Sequence, residues 1–216
     1  MDAITPDILL KAYMCGLFPM AEDKDSDGVF WVDPEYRGIF PLEDFHVSKS
    51  LKKKIKQEPF RVTVNQDFGR VLDMCASDKA GRDETWINED IRYLYNILHE
   101  KGFAHSVECW NMGRLVGGLY GVCINAGFFG ESMFHTERDA SKIALAYLIA
   151  RLKKGGFSLL DSQFITPHLA SLGAIEISRA DYQKRLNQAM HKEADFFALH
   201  SEPAPETVLQ LIAQTS

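Results

Sequence analysis

Residues 127–173 read GFFGESMFHTERDASKIALAYLIARLKKGGFSLLDSQFITPHLASLG. An apolar strand ends in Gly130-Glu131-Ser132-Met133. A mostly apolar helix follows over 140–154, then a strand over 157–163 that closes on Asp161-Ser162-Gln163. Apart from Lys142, the first three turns of that helix are apolar nearly all round, the pattern of a buried helix. Lys153 and Lys154 suit its negative end, and Gly155-Gly156 stop it. Polar groups crowd where the two apolar strands end, which core packing alone does not ask for. The stretch therefore reads as a functional site carried on two strands and a central helix.

Working outward, three strands precede the helix, over 104–110, 115–124 and 128–134, with turns at Asn111-Met112-Gly113-Arg114 and Asn125-Ala126-Gly127. Gly117, Gly118 and Gly121 fall inside the middle strand, where glycines mark a bulge or a close approach. Beyond the site come a short helix over 167–172, a strand over 175–177 and a Ser178-capped helix to about Met190. The tail after Phe197 reads as loosely attached. Meander, central helix, strand and helix suggest an α+β protein with an acetyltransferase-like α/β main domain, a fold whose sheet splays where ligands enter. That analogy does not give the chemistry.

Towards the N-terminus, Thr5-Pro6-Asp7 starts a helix that Gly16 ends. Leu17-Phe18-Pro19-Met20 reads as an apolar turn and Glu22–Gly28 as a polar loop. Phe30–Val32 and Gly38–Phe40 read as two short strands around Asp33-Pro34. These elements predict a small N-terminal module, residues 1–41, packed firmly on a catalytic domain, residues 42–216. That domain opens with a helix over 48–57, a strand over 60–64 and helices over 68–77 and 88–99.

The totals agree with a globular protein. In 216 residues, 46% are hydrophobic and 25% charged, enough for a full core. The net charge of −6 argues against a general nucleic-acid binder. Against that balance stand Lys49, Lys52, Lys53, Lys54 and Lys56, five lysines in eight residues. They form either a solvated helix face or a patch for an anionic partner. The longest nearly uncharged run, Leu115–Gly130, carries five glycines and reads as strands, not a membrane span. The first residues lack a secretory signal pattern. Cys15, Cys75, Cys109 and Cys123 are widely spaced, as thiols are in a reducing cytoplasm.

Asp161 and Gln163 are two apart on a strand and so share a face. A carboxylate there can hold the Gln amide NH2 and leave its carbonyl oxygen for a substrate amine; a purely structural pair is the alternative. Glu131, at the end of the neighbouring strand, can bind a positively charged group or cap nearby backbone. Leu145, Leu148 and Leu152 share one helix face. With Leu119, Phe128, Met133 and Leu160 they either line an apolar pocket or belong to the core. Several classes are set aside. Gly130-Glu131-Ser132-Met133-Phe134 is not a G-x-S-x-G elbow. His135 and His168 have no close ligand partners for zinc, so no metal is expected. No phosphate loop appears. The segment His135–Ser141 lacks the glycine-rich turn that coenzyme A favours, and its acidic residues repel pyrophosphate.

Gly130-Glu131-Ser132-Met133-Phe134, Ala140-Ser141-Lys142, Asp161-Ser162-Gln163 and His168–Ala174 together resemble the bacterial leucyl/phenylalanyl-tRNA–protein transferase family. So do Tyr13-x-x-Gly16-x-Phe18-Pro19, Trp31-x-x-Pro34, Cys75-Ala76-Ser77-Asp78, Thr85-Trp86-Ile87 and Val116-Gly117-Gly118-x-Tyr120-Gly121. The matches keep order over about residues 8–190. The resemblance implies a cytoplasmic, monomeric aminoacyltransferase that moves Leu, Phe or Met from tRNA to the N-terminal Arg or Lys of a protein, marking it for degradation. No cofactor is implied, because the aminoacyl ester is already activated. Asp161 and Gln163 become the catalytic pair, Glu131 the acceptor-binding carboxylate, and the leucine-rich pocket the seat of the transferred side chain. Tyr13, Trp31, Lys52, Lys53, Trp86 and Tyr95 become tRNA contacts. Met20 stands where the family pattern has Trp, and Leu148 and Leu152 where relatives often have Phe. A wider pocket, with relatively better use of Phe or Met against Leu, follows. The competing readings are a coenzyme A-dependent N-acyltransferase and a non-catalytic RNA-binding module.

Overall fold

The computed structural model describes residues 4–21, 28–43, 45, 47–77 and 87–214. The N-terminal part gives α1 (Pro6–Cys15), β1 (Phe18–Met20), β2 (Phe30–Val32) and β3 (Tyr36–Phe40). Next come α2 (Lys49–Lys56), β4 (Arg61–Val64), α3 (Phe68–Ala76) and α4 (Glu89–Glu100). The meander is β5 (Ala104–Asn111), β6 (Arg114–Ile124) and β7 (Gly127–His135). It is followed by α5 (Ala140–Gly155), β8 (Leu159–Gln163), α6 (Pro167–Ser171), β9 (Ile175–Ser178), α7 (Arg179–Met190) and α8 (Pro205–Ala213). The helix starts follow local chemistry: the side chains of Thr5, Ser48, Asn88 and Ser178 each accept a backbone N–H of the first turn.

Seven strands form one sheet in the order β4-β5-β6-β7-β8-β3-β9. Every pair is antiparallel except β7 and β8, which run parallel. A parallel pair needs a crossover, and α5 supplies it. α5 packs on one face with α2 and α8, where Leu51, Ile55, Leu148, Leu152 and Leu209 share one core. Helices α1, α3, α4 and α7 cover the other face through Leu9, Leu72, Leu94 and Leu186. As its sequence predicts, α5 is buried from Ala140 to Leu152 apart from Lys142. Burying each such leucine contributes about 1.5–3 kcal/mol. Gly117 makes the approach of α5 to the sheet feasible: a Cβ there would sit 2.4 Å from the Ala140 Cβ.

Three expectations change. Leu17–Met20 is not only a turn, since β1 pairs with β2 in a separate two-stranded sheet. β3, expected within the N-terminal module, pairs between β8 and β9 in the main sheet. The expected boundary after residue 41 therefore falls just past an interior strand. The tail after Phe197 is also not loose. Arg151 of α5 donates from Nη1 to the carbonyls of Phe196 (2.9 Å) and Leu199 (2.7 Å) and from Nη2 to that of His200 (2.6 Å). Val208, Leu209 and Ile212 are buried as well.

Candidate active site

β7 and β8 pair at only three positions: Gly127 with Leu159, Phe128 with Leu160 and Phe129 with Asp161. Beyond them β7 stays on β6 while β8 follows β3, so the sheet opens. Both strands are bulged at the parting. Gly121 faces Gly130 and Tyr120 faces Ser132, which leaves Glu131 as an extra residue. Likewise Ile39 faces Asp161 and Gly38 faces Gln163, which leaves Ser162 extra. Bulges re-aim side chains. Gly38 admits the second one, because a Cβ there would come within 2.9 Å of the Phe164 carbonyl and of Ser162 Oγ. Gln163 then turns the chain with φ at 65°, the left-handed region that a non-glycine residue seldom adopts.

The carboxylates behave differently from the simplest expectation. Asp161 does not hold the Gln163 side-chain amide. Its Oδ1 accepts the backbone N–H of Gln163 at 2.8 Å, and its Oδ2 accepts the Tyr182 hydroxyl at 2.8 Å. Arg37 completes the cage, with Nη2 2.6 Å from Oδ2 and Nε 3.0 Å from Oδ1. Arg37 Nη1 also donates to the Gly16 carbonyl at 2.9 Å, and its guanidinium lies over the rings of Phe18 and Tyr182. Glu131 is the residue that holds Gln163: Nε2 of Gln163 donates to Glu131 Oε1 at 3.0 Å. The Tyr13 hydroxyl donates to the same oxygen at 2.7 Å, and the Tyr95 hydroxyl to Oε2 at 2.9 Å. The two phenols also touch each other.

Burial pushes the Glu131 carboxyl up to about 7, against the downward pull of Tyr13, Tyr95 and Gln163. Burial and the nearby Glu131 raise both phenols well above the usual tyrosine value. Tyr182 is raised too, by burial and by Asp161. The site thus holds one caged carboxylate and one whose charge changes near neutrality, joined through a single glutamine.

A cavity of about 90 Å³ opens at the parting. On this measure a water takes about 10–15 Å³, so the space accepts a side chain of several heavy atoms. Of the predicted pocket residues, Leu119, Met133, Leu145, Leu148 and Leu160 line it, together with Phe40 and Leu169. Phe128 and Leu152 do not; both are fully buried in the core. Glu131 and Asp161 border the cavity.

Two of the predicted RNA contacts are brought together, but around Glu131 and not on a surface. Tyr13 and Tyr95 are sealed from solvent and support Glu131, while Trp31 is 36% exposed on β2. Lys52 and Lys53 are exposed on α2, whose Leu51 and Ile55 face inward. Trp86 lies outside the described residues. Sequence reasoning missed Arg37 and Tyr182. The available signal was an arginine two residues before Ile39, and so on the same face of the strand Tyr36–Phe40. Among the described residues no cluster of His, Cys, Asp or Glu could hold a metal, and no helix is long and apolar enough to cross a membrane.

Comparison with known proteins follows the same lines. A family model described as leucyl/phenylalanyl-tRNA protein transferase matches residues 39–187, and one for the N-terminal domain of that transferase matches residues 2–35. A leucyl/phenylalanyl-tRNA–protein transferase from Maricaulis maris (strain MCS10) is 56% identical over 208 residues, covering 96% of each chain. The protein of that name from Ruegeria pomeroyi is 52% identical over 214 residues, 99% of this chain and 100% of its own. The one from Rhodopseudomonas palustris (strain TIE-1) is 56% identical over 196 residues, 91% of this chain and 87% of its own. The solved structure of L-PGS from Bacillus licheniformis aligns with a TM-score of 0.41 at 14% identity, over 76% of this chain and 55% of that one. A likeness that loose carries no argument.

Proposed function

The chain belongs to the leucyl/phenylalanyl-tRNA–protein transferase family, and from that premise we propose that it moves Leu, Phe or Met from aminoacyl-tRNA to the N-terminal Arg or Lys of acceptor proteins, marking them for degradation. The observation that carries the reading is the apolar cavity opening beside the Glu131–Gln163–Asp161 group. A site of that shape favours an apolar side chain and rejects charged ones through their desolvation cost.

The reaction is aminolysis of an ester. The acceptor's amine nitrogen attacks the ester carbonyl carbon. A C–N bond forms, the C–O bond to the ribose breaks, and the amine proton ends on the ribose hydroxyl. An α-amine has a pKa of about 8, so a useful fraction is neutral near pH 7. The enzyme's task is alignment and charge stabilisation. With its NH2 engaged by Glu131, Gln163 turns its carbonyl oxygen to the amine as a hydrogen-bond acceptor. Asp161 fixes the turn that carries Gln163. Glu131 acts on the acceptor through Gln163 and through its negative potential, which suits a basic N-terminus. No cofactor is needed, because the ester is already activated.

Lys52 and Lys53 hold tRNA phosphates, contacts that position RNA without reading sequence. Trp31, the exposed ring, stacks on the terminal adenine, together with Trp86. Tyr13 and Tyr95 serve Glu131. The parallel pair that parts beside a crossover helix supports an acetyltransferase-like main domain, residues 42–216, with a module over residues 1–41 that docks through β3. The protein acts as a monomer, and the tRNA substrate supports a cytoplasmic location.

The test is transfer of radiolabelled Phe from Phe-tRNA to proteins beginning with Arg, Lys or Ala. Label on the first two alone is expected. Binding of tRNA without any transfer would leave only a binding module.

A further inference from the structure

Within the cavity two hydroxyls stand apart from the rest of the buried polar groups. Ser132 Oγ and Ser162 Oγ are both sealed from solvent, and neither has a hydrogen-bond partner among the described residues. Buried hydroxyls are nearly always paired, so each unpaired one calls for an explanation. Both residues line the cavity, one on each of the two parting strands. Ser132 is next to Glu131, and Ser162 is the bulged residue between Asp161 and Gln163. Gly38 keeps room beside Ser162, since a Cβ there would stand 2.9 Å from its Oγ. Leu119, Met133, Leu145, Leu148 and Leu160 make much of the remaining lining apolar. The cavity therefore suits a ligand that carries both an apolar and a polar group.

We propose that Ser132 and Ser162 bind the polar end of the aminoacyl ester, Ser132 accepting from its α-amine and Ser162 donating to its carbonyl oxygen. The assignment rests on the aminoacyl-transfer reading of the same site. Ser132 lies beside the carboxylate that favours a positive amine. Ser162 lies beside the glutamine that receives the attacking nucleophile, where negative charge develops on the ester oxygen. A hydroxyl donor at that point lowers the barrier in the way an oxyanion-hole donor does. No bond is made to either serine; both act by hydrogen bonding alone.

Transfer and thermal unfolding are measured together for the wild type, Ser132→Ala and Ser162→Ala. The donors are Phe-tRNA and 3-phenylpropionyl-tRNA, which lacks the α-amine. Ser162→Ala is expected to lower kcat about a hundredfold. The wild type is expected to favour Phe-tRNA over the deaminated donor by about tenfold or more, and Ser132→Ala to bring that ratio close to one. Neither substitution is expected to lower the unfolding temperature, because each removes an unpaired buried hydroxyl. A fall in unfolding temperature in both variants would make the hydroxyls structural and overturn the assignment. Wild-type kcat in Ser162→Ala with an unchanged donor ratio in Ser132→Ala would overturn it while leaving the transferase reading intact. Absence of transfer by the wild type would remove both.

Discussion

Arg37 meets Asp161 across the β3–β8 ladder with two guanidinium nitrogens on one carboxylate, 2.6 and 3.0 Å away, and both side chains are buried. The pair joins residues 124 positions apart. Removing one member leaves the other buried and uncompensated, which costs about 3–5 kcal/mol. Arg37→Ala and Asp161→Ala are each expected to lower stability by about that amount in urea unfolding. A loss below 1 kcal/mol in both would contradict the caged arrangement. Lost transfer in Asp161→Ala must accordingly be read beside its unfolding curve.

Gln163 separates chemistry from folding more cleanly. Its left-handed backbone costs an ordinary residue about 1–2 kcal/mol, and glycine escapes that cost. Gln163→Ala and Gln163→Gly should lose transfer equally, with tRNA affinity nearly unchanged, while the glycine variant is about 1 kcal/mol more stable than the alanine one. Retained transfer in either would remove the amide from the mechanism.

Glu131 gives a pH dependence of definite sign. Its folded carboxyl is held up to about 7, against about 4.5 when unfolded. The folded state binds the proton more tightly, so this contribution is full below pH 4.5, fades as pH rises to about 7 and is flat above. At about 1.4 kcal/mol per unit the change is on the order of 3 kcal/mol. His105, buried and pushed down to about 4, has the opposite slope between about pH 4 and 6.5, so the wild type alone mixes the two. The stability difference between wild type and Glu131→Gln isolates the carboxyl. It should shrink from pH 5 to 7 and level off by pH 8; a constant difference rules the assignment out. Tyr95→Phe removes a hydroxyl that draws the Glu131 value down, so it should move this window to higher pH.

Leu148 lines the cavity and Leu152 does not, so a larger residue at each should act differently. Leu148→Phe narrows the pocket and should shift transfer from Phe and Met towards Leu. Leu152→Phe overpacks the core and should cost about 1–3 kcal/mol with little change in the ratio. Competitive transfer of the three amino acids, with thermal unfolding alongside, checks both. A change of preference in Leu152→Phe alone would reverse the assignment.

Local pattern made much of this molecule readable. The meander, α5 and β8 follow from apolar runs, turn residues and caps, and their ends agree to within two residues or so. The cavity-lining leucines of α5 follow from helical spacing, except that periodicity cannot say how far along the face the cavity reaches, and Leu152 lies past its end. What pattern could not show is set by distant pairing. No spacing within residues 1–41 indicates that β3 slots between β8 and β9. Arg37 consequently went unassigned, and Tyr13 and Tyr95 looked like aromatics awaiting a base. The bulges at Glu131 and Ser162 exist only relative to partner strands, yet they decide which carboxylate holds Gln163.

The position of β3 also bears on how the chain is made. Its neighbours, β8 and β9, are translated more than a hundred residues after it. At about 5–20 residues per second, Arg37 waits on the order of ten seconds for the carboxylate that will neutralise it. Until then the growing polypeptide carries an unpaired strand ahead of an otherwise assembling meander. The newborn enzyme thus closes by stitching its beginning into its end, and shortening the N-terminus past residue 36 would unseat the sheet itself.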